Sequence, residues 1–319
     1  MTILIVGGDS QLSNEFCKLD MDDDIILTTR RPEKLKQKNY VYLDLLSVDD
    51  FNIPSGVDRV IIMGGVTTYD NCMDKSDYAY NVNCISIPKL VYKLLDNNVF
   101  TCFVSSNTVF KSEDKIPNEK DVPNPGFAYA EMKYKTESEI IKISTNLNKQ
   151  YLLSIFRMTK NVNCYTKPFN QWLSDIVNSR EIVAFRDLFF SPIRFKDSAS
   201  TILKIINDRL SGVYHLSGEK DISYYDFAVE LVNYLGKNNN VKSVLSTDIG
   251  VNLVYNHKIT SLSMEYSYES LGVSEIKLDE IYSYFNQCLV NRWYIILNAK
   301  TDTLSPQNLW QLFKISYIE

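Results

Sequence analysis

The chain has 319 residues, 45% of them hydrophobic, which suffices for one large α/β domain carrying a smaller lobe. A net charge of −5 at pH 7 and a pI near 5.3 argue against a general nucleic-acid binder, because phosphate backbones attract basic surfaces. No apolar run approaches the ~20 residues of a membrane span, the N-terminus has no signal-peptide pattern, and six scattered cysteines without a C-x-x-C pair, with only His215 and His257 beside them, offer no zinc ligand set.

In chain order, Ile3–Val6 is a strand, 10–19 a helix, Asp24–Thr28 a second strand and Val41–Leu43 a third. Arg59–Met63 is a fourth strand, 77–96 a helix, Phe100–Ser105 a fifth strand, Tyr129–Ser144 a helix and Leu152–Phe156 a sixth strand. Continuous apolar runs of this kind suit strands buried on both faces. Their alternation with helices predicts a Rossmann-type, doubly wound parallel sheet over 1–160. Later strands, from about 182–216, return to it. Residues 161–290 mainly form a smaller C-terminal substrate-binding lobe, with a strand at Val213–Leu216, a helix at Tyr224–Leu235 stopped by Gly236, and another over 276–290. The stretch 291–319 does not fit the preceding pattern and stands as an extension.

The first strand runs into Gly7-Gly8-Asp9-Ser10-Gln11-Leu12-Ser13 and then a helix. A glycine at a strand end allows a sharp turn, and small residues at +3 and +6 let backbone approach a pyrophosphate at the helix N-terminus. Serine at the later two positions makes a positive φ costlier. Taken alone, the segment is also compatible with an ordinary tight strand–helix turn. About 20 residues past Gly7, where an acidic residue would hold the 2′-hydroxyl of NAD, the chain has Thr28-Thr29-Arg30-Arg31. An arginine there can pair with a 2′-phosphate, which favours NADP(H) over NAD(H) unless the pair is simply a solvated turn.

Tyr129 and Lys133 are four residues apart on a helix and so share a face. A ketone reduction needs a proton donor as hydride arrives, and a nearby ammonium brings a phenol into range for that role. Such pairs also arise by chance on surfaces. Ser105-Ser106-Asn107 at the end of the fifth strand supplies the context, because ligands of parallel sheets bind at the strands' carboxyl ends. Taken alone, Ser106 is also read as a turn or cap residue. His215, in a strand pattern, reads as a structural histidine, His257 as either ligand or structural, and Asp22-Asp23-Asp24 as a solvated turn.

Several further motifs follow one another: Asp44; Gly64-Gly65-Val66-Thr67-Thr68-Tyr69-Asp70-Asn71-Cys72; Ala79-Tyr80-Asn81-Val82-Asn83; Val104–Phe110; Pro125; Phe156-Arg157; Phe189–Ile193; Gly212–Gly218; and Ser223–Ala228. In this order they resemble the extended short-chain dehydrogenase/reductases, and within them the dTDP-4-dehydrorhamnose reductase-like, sugar-nucleotide-binding group, over roughly 1–290. The resemblance implies an NAD(P)H-dependent reductase of a keto group on a nucleotide-activated deoxysugar. It makes Tyr129 the proton donor, Lys133 the ribose holder and Ser106 the carbonyl-orienting hydroxyl, with Asn107 beside the substrate. Ser10, Gln11 and Leu12 would face the pyrophosphate, Asp44 and Leu45 the adenine, and Gly65, Val66 and Thr67 the nicotinamide, with Asn83 supporting the central helix. Ser191-Pro192-Ile193 and the segment around His257 would belong to the sugar-nucleotide lobe. The chain would be cytoplasmic, and a homodimer is the oligomer that such enzymes suggest.

The chain departs from the group at three places. Ser10 and Ser13 replace loop glycines, Ser106-Asn107-Thr108 replaces Thr-Asp-Tyr, and Arg157-Met158-Thr159-Lys160 replaces Arg-Thr-Ser-Trp. An aromatic tyrosine and tryptophan facing the substrate are thereby lost, so the rhamnose substrate itself is not expected to transfer. Two other readings stay open: an epimerase or dehydratase with tightly held NAD, for which Ser106-Asn107 lacks the acid/base carboxylate, and a non-catalytic NADP-binding subunit like the regulatory β subunit of methionine adenosyltransferase.

Overall fold

The computed structural model describes residues 1–67, 72, 76–111, 114–249 and 257–301. β1 (Thr2–Val6) leads into α1 (Gln11–Phe16), followed by β2 (Asp24–Thr29), β3 (Tyr40–Tyr42) and β4 (Val57–Ile62). The long helix α2 joins Ser76–Tyr80, a π-helical stretch Asn81–Ser86 and Ile87–Asp96. β5 (Phe100–Val104), α3 (Ala128–Asn146) and β6 (Leu153–Met158) complete the first half. Beyond it come β7 (Lys160–Val162), α4 (Phe169–Val177), β8 (Ile182–Phe185), β9 (Phe189–Phe190), β10 (Pro192–Arg194), α5 (Phe195–Asn207) and β11 (Gly212–Leu216). β12 (Ile222–Ser223), α6 (Tyr224–Tyr234), β13 (Val241–Val244), α7 (Glu265–Leu271) and α8 (Leu278–Thr301) follow.

Seven strands form one sheet in the order β11-β6-β5-β4-β1-β2-β3, and every pair in it is parallel. The chain winds outward from β1 to β3 on one side and from β4 to β11 on the other. The carboxyl ends of β1 and β4 therefore flank the crevice where such sheets bind ligands. Helices cover both faces, as the apolar strands require. Leu90, Val91 and Leu94 of α2 and Ile140 of α3 pack on Leu4, Val60, Ile62, Phe103 and Ile155. Phe16 of α1 and Ile202, Ile205 and Ile206 of α5 pack on Ile3, Ile5, Ile61 and Phe156. Each such side chain contributes about 1.5–3 kcal/mol.

Of the expected return over 182–216, only β11 enters the main sheet. β10 pairs β7, β13 pairs β8 and β12 pairs β9 in three small two-stranded sheets. An aromatic cluster fastens this later part together: Phe190 stacks on Tyr224 at 4.3 Å between ring centroids, and Phe169 meets Phe285 at 5.4 Å. Phe169, Phe190, Phe227 and Phe285 belong to the same apolar cluster as Ile3 and Phe156, so lobe and sheet share one core.

Two helix expectations are corrected. The helix expected over 10–19 is Gln11–Phe16, because Cys17, Lys18 and Leu19 close in tight turns on Ser13, Glu15 and Phe16. The helix expected to stop at 290 is α8 and continues to Thr301, so the first part of the extension is helical. Residues 302–319 lie outside the described set. No helix among the described residues is long and apolar enough to cross a membrane.

Candidate active site

The end of the site beside β1 and β4 is made chiefly of backbone. Gly7 has φ +91°, and a Cβ on it would stand 2.6 Å from the Gly64 amide nitrogen, so the β1 turn and the β4 turn can touch only if this residue is glycine. The Gly7 amide donates to Thr28 Oγ1 at 3.1 Å and the Gly8 amide to Thr28 O at 3.0 Å, which pins the loop to the end of β2. Ser10 has φ −77° and ψ 156°, an ordinary extended conformation, so the serine carries no strain; its hydroxyl caps α1 by accepting from the Ser13 amide at 3.1 Å. The amides of Gln11 and Leu12, at the first turn, have no intrahelical acceptor.

A cleft of about 450 Å³ opens beside this loop, and Gly7, Ser10, Arg30, Asp44, Leu45, Gly65, Val66 and Thr67 all line it. Arg30 is exposed at its rim and donates to Tyr78 OH at 3.0 Å, which raises its already high pKa. Arg31 is instead tied to Asp9 at 3.8 Å. Burial pushes the Asp9 carboxyl up, but hydrogen bonds from Lys34 and Thr29 and the charges of Lys34 and Arg31 outweigh it and hold the pKa below the usual value. Asp44 caps the next turn by accepting from the Leu46 amide at 3.1 Å.

Several expected cofactor residues do not turn a side chain into the cleft. The Gln11 side chain turns away and accepts from Asn163 Nδ2 at 2.7 Å in a different cleft, and Leu12 is buried in the core. What these two residues can turn toward a phosphate is backbone. Asn83 does not line the cleft. Its Oδ1 accepts from the Val66 amide and its Nδ2 donates to Val66 O, both at 2.9 Å, so it holds in shape the loop that does. Gly65, with φ +146°, is glycine because a Cβ would lie 2.8 Å from Asn83 Oδ1. Residues 68–71 of the Gly64–Cys72 motif lie outside the described set.

The other end of the site is made of side chains on one face of α3. Tyr129 is half-buried and, like Val66 of the cleft loop, packs against Cys72, Ala79, Cys84 and Met132, but it is not itself among the residues that line the cleft. One turn on, Lys133 is buried. Its Nζ donates to Val104 O at 2.9 Å and lies 4.6 Å from the Phe103 ring centroid. Burial pushes its pKa down to about 8, against the opposing pull of Glu137 and Cys72. A further turn on, Glu137 accepts from Arg157 Nη2 at 2.6 Å and Nε at 3.1 Å; both side chains are buried. Tyr129, Lys133 and Glu137 thus run down one helix face to the carboxyl ends of β5 and β6.

Ser106 stands two residues past the carbonyl that Lys133 holds. It caps a short turn: its Oγ accepts from the Thr108 amide at 3.2 Å and from Thr108 Oγ1 at 3.0 Å, and it donates to Asn107 Oδ1 at 3.3 Å. The cap reading and the strand-end position therefore hold together. Asn107 is engaged within the protein. Its Nδ2 donates to Thr260 O at 2.7 Å and so ties the end of β5 to the segment that follows His257. Asp221 clamps the same segment by accepting from the amides and hydroxyls of Thr260 and Ser261.

His215 is fully buried, within 3.2 Å of Ser263 O through Nδ1, and burial beside Arg157 pushes its pKa down to about 3, so it is neutral. His257 is half-buried at the edge of the described residues. Within the aspartate run, Asp23 binds the buried Arg59 at 2.6 Å. Thr28 and Gly64, which fall inside the quoted motifs without a site role, and Tyr78, which no motif includes, also line the cleft. Opposite charges at Asp9, Arg31 and Lys34 were the one signal that could have shown which arginine stays at the cleft.

Residues 1–253 match the family model described as the RmlD substrate binding domain. A dTDP-4-dehydrorhamnose reductase of Aggregatibacter actinomycetemcomitans is 23% identical over 240 residues, covering 72% of this chain and 77% of that protein. The crystal structure of a dTDP-4-dehydrorhamnose reductase from Clostridium acetobutylicum superposes with a TM-score of 0.74 at 22% identity, over 90% of this chain and 99% of that one. A Bacillus anthracis dTDP-4-dehydrorhamnose reductase solved in complex with NADP gives a TM-score of 0.71 at 20% identity, over 89% and 98%. At these identities the solved structures establish the fold.

Proposed function

Because the chain belongs to the RmlD substrate binding domain family, we propose that it is an NADP(H)-dependent reductase of a keto group on a nucleotide-linked deoxysugar, with NAD(H) as the second-choice cofactor. The observation that carries this reading is the face of α3, where Tyr129 stands one turn before the buried Lys133, whose Nζ reaches Val104 O at the carboxyl end of β5, two strands from a glycine-lined cleft. The cleft suits a dinucleotide: Gly7 admits close approach, the first amides of α1 would be free to meet an anion, and Arg30 suits a 2′-phosphate. When bound, the nicotinamide would supply hydride to the carbonyl carbon. Tyr129 would donate its phenolic proton to the carbonyl oxygen at the same time. With one N–H spent on Val104 O, Lys133 keeps two donors for ribose hydroxyls, and its charge makes the phenol more acidic. Ser106 would exchange its long 3.3 Å bond to Asn107 for one to the substrate oxygen.

The sugar differs from that of the rhamnose reductases, since Thr108 and Lys160 stand where those enzymes carry aromatic rings. A panel of keto-sugar nucleotides followed at 340 nm with NADPH and NADH tests the reading. Oxidation of NADPH by at least one 4-keto-6-deoxysugar nucleotide is the expected result. Tight NADPH binding with no turnover on any of them contradicts it and favours a binding subunit.

A further inference from the structure

The hydroxyl of Ser106 is committed on three sides. A hydroxyl carries one proton and two lone pairs. Both lone pairs of Ser106 are taken, by the Thr108 amide at 3.2 Å and by Thr108 Oγ1 at 3.0 Å. Its proton therefore runs to Asn107 Oδ1 at 3.3 Å. So arranged, Ser106 can meet an incoming oxygen only as a donor, and a hydroxyl that already accepts hydrogen bonds donates more strongly.

The Asn107 amide is itself oriented from outside the sheet. Its Nδ2 donates to Thr260 O at 2.7 Å. A backbone carbonyl can only accept, so the NH2 end must face Thr260 and the oxygen end Ser106. Thr260 is held in turn by Asp221, whose Oδ1 accepts from the Thr260 amide and hydroxyl, both at 2.7 Å, and from the Ser261 amide at 2.9 Å. Asp221 Oδ2 accepts from Ser261 Oγ at 2.6 Å. A line of hydrogen bonds thus leads from Asp221, through Thr260 and Asn107, to the hydroxyl just past the end of β5. An aspartate at 107 would break the line at both of its ends: an acceptor would face Thr260 O, and a charged oxygen would hold the Ser106 proton more tightly.

We propose that Asn107 is a positioning residue: it keeps the Ser106 hydroxyl in its donor orientation, makes that orientation depend on the segment clamped by Asp221, and, being neutral, gives up the proton when a substrate carbonyl oxygen arrives. The inference rests on the reading of Ser106 given above. It accounts for an amide where the rhamnose reductases carry a carboxylate, because the two ends of an amide do opposite things and the two oxygens of a carboxylate do not.

The test is a double-mutant cycle on the full chain. Wild type, Asn107→Asp, Asn107→Ala, Ser106→Ala and the two double variants are compared with NADPH and the dTDP- and UDP-linked forms of 4-keto-6-deoxyglucose and 4-ketorhamnose. Single turnovers with enzyme in excess keep the slow variants measurable. Asn107→Asp is expected to lower kcat about tenfold to a hundredfold, and Asn107→Ala by less, with the KM for NADPH within about twofold of wild type. Once residue 106 is alanine, neither change at 107 lowers the rate further, because the asparagine acts only through that hydroxyl. Losses that multiply in the double variants mark a merely structural asparagine and overturn the proposal, as does a kcat for Asn107→Asp within about twofold of wild type. Either result in an active wild type leaves the reductase reading intact. A wild type that reduces none of these sugars overturns that reading, and this proposal with it.

Discussion

The two ends of the cleft are built from different materials. Around β1, β2 and β4 the protein offers glycines, turn amides and one rim arginine, and the side chains mostly turn away. Around β5 and β6 it offers buried, charged side chains stacked down one helix face. The first end is shaped by what is missing, a Cβ at Gly7 and Gly65. The second is shaped by charges that must be satisfied within the protein. Damage at the first end should therefore appear in cofactor affinity, and damage at the second in stability and turnover.

The sharpest way to break this comparison is at the buried ion pair. Arg157→Met leaves Glu137 charged and unpaired, so the chain should lose about 3–5 kcal/mol of stability in urea unfolding; a loss well under that figure means the pair is not part of what the reacting end depends on. Next in size is Tyr129→Phe. Turnover should fall at least ~100-fold with NADPH affinity unchanged, and undiminished turnover would remove the tyrosine from the chemistry. The lysine adds a pH signature. Its folded pKa of about 8 lies below the ordinary 10.5, so turnover should be flat below about 8 and decline above it as the ammonium is lost. Between those two values the unfolded chain binds the extra proton, so this group's contribution makes stability rise with pH while activity falls. The dinucleotide end should respond in the other currency. Arg30→Ala should raise the KM for NADPH about tenfold, leave that for NADH alone and spare kcat. The smallest effect, and the exception at this end because it acts on a helix cap, is Ser10→Ala, which should cost about 1 kcal/mol in unfolding experiments.

What could be read from the sequence followed the same division. The sheet was legible because strands buried on both faces must be continuously apolar, as in Ile3–Val6 and Phe100–Val104. Gly7 was legible because the turn after a first strand demands a residue without Cβ, and Tyr129/Lys133 because four-residue spacing on a helix is a statement about one face. The side-chain bonds of Asn107 and Gln11 were not legible, because their partners, Thr260 and Asn163, lie 153 and 152 residues away and no local pattern announces such a bond. The bond Asn83 makes was not legible: a buried amide clamping the Val66 backbone looks, in sequence, the same as one facing a ligand. The small sheets of the later half escaped because strands of two to four residues carry too little periodicity to register.

The claim underneath all of this is that the two ends serve one bound molecule. The direct measurement is a crystal structure of the full chain with NADPH. The pyrophosphate should lie over Gly7 and the start of α1, the adenosine 2′-phosphate at Arg30, and the nicotinamide C4 within roughly 4 Å of Tyr129 Oη. A dinucleotide whose nicotinamide points away from α3, or one that leaves the Gly7 loop empty, would contradict the account.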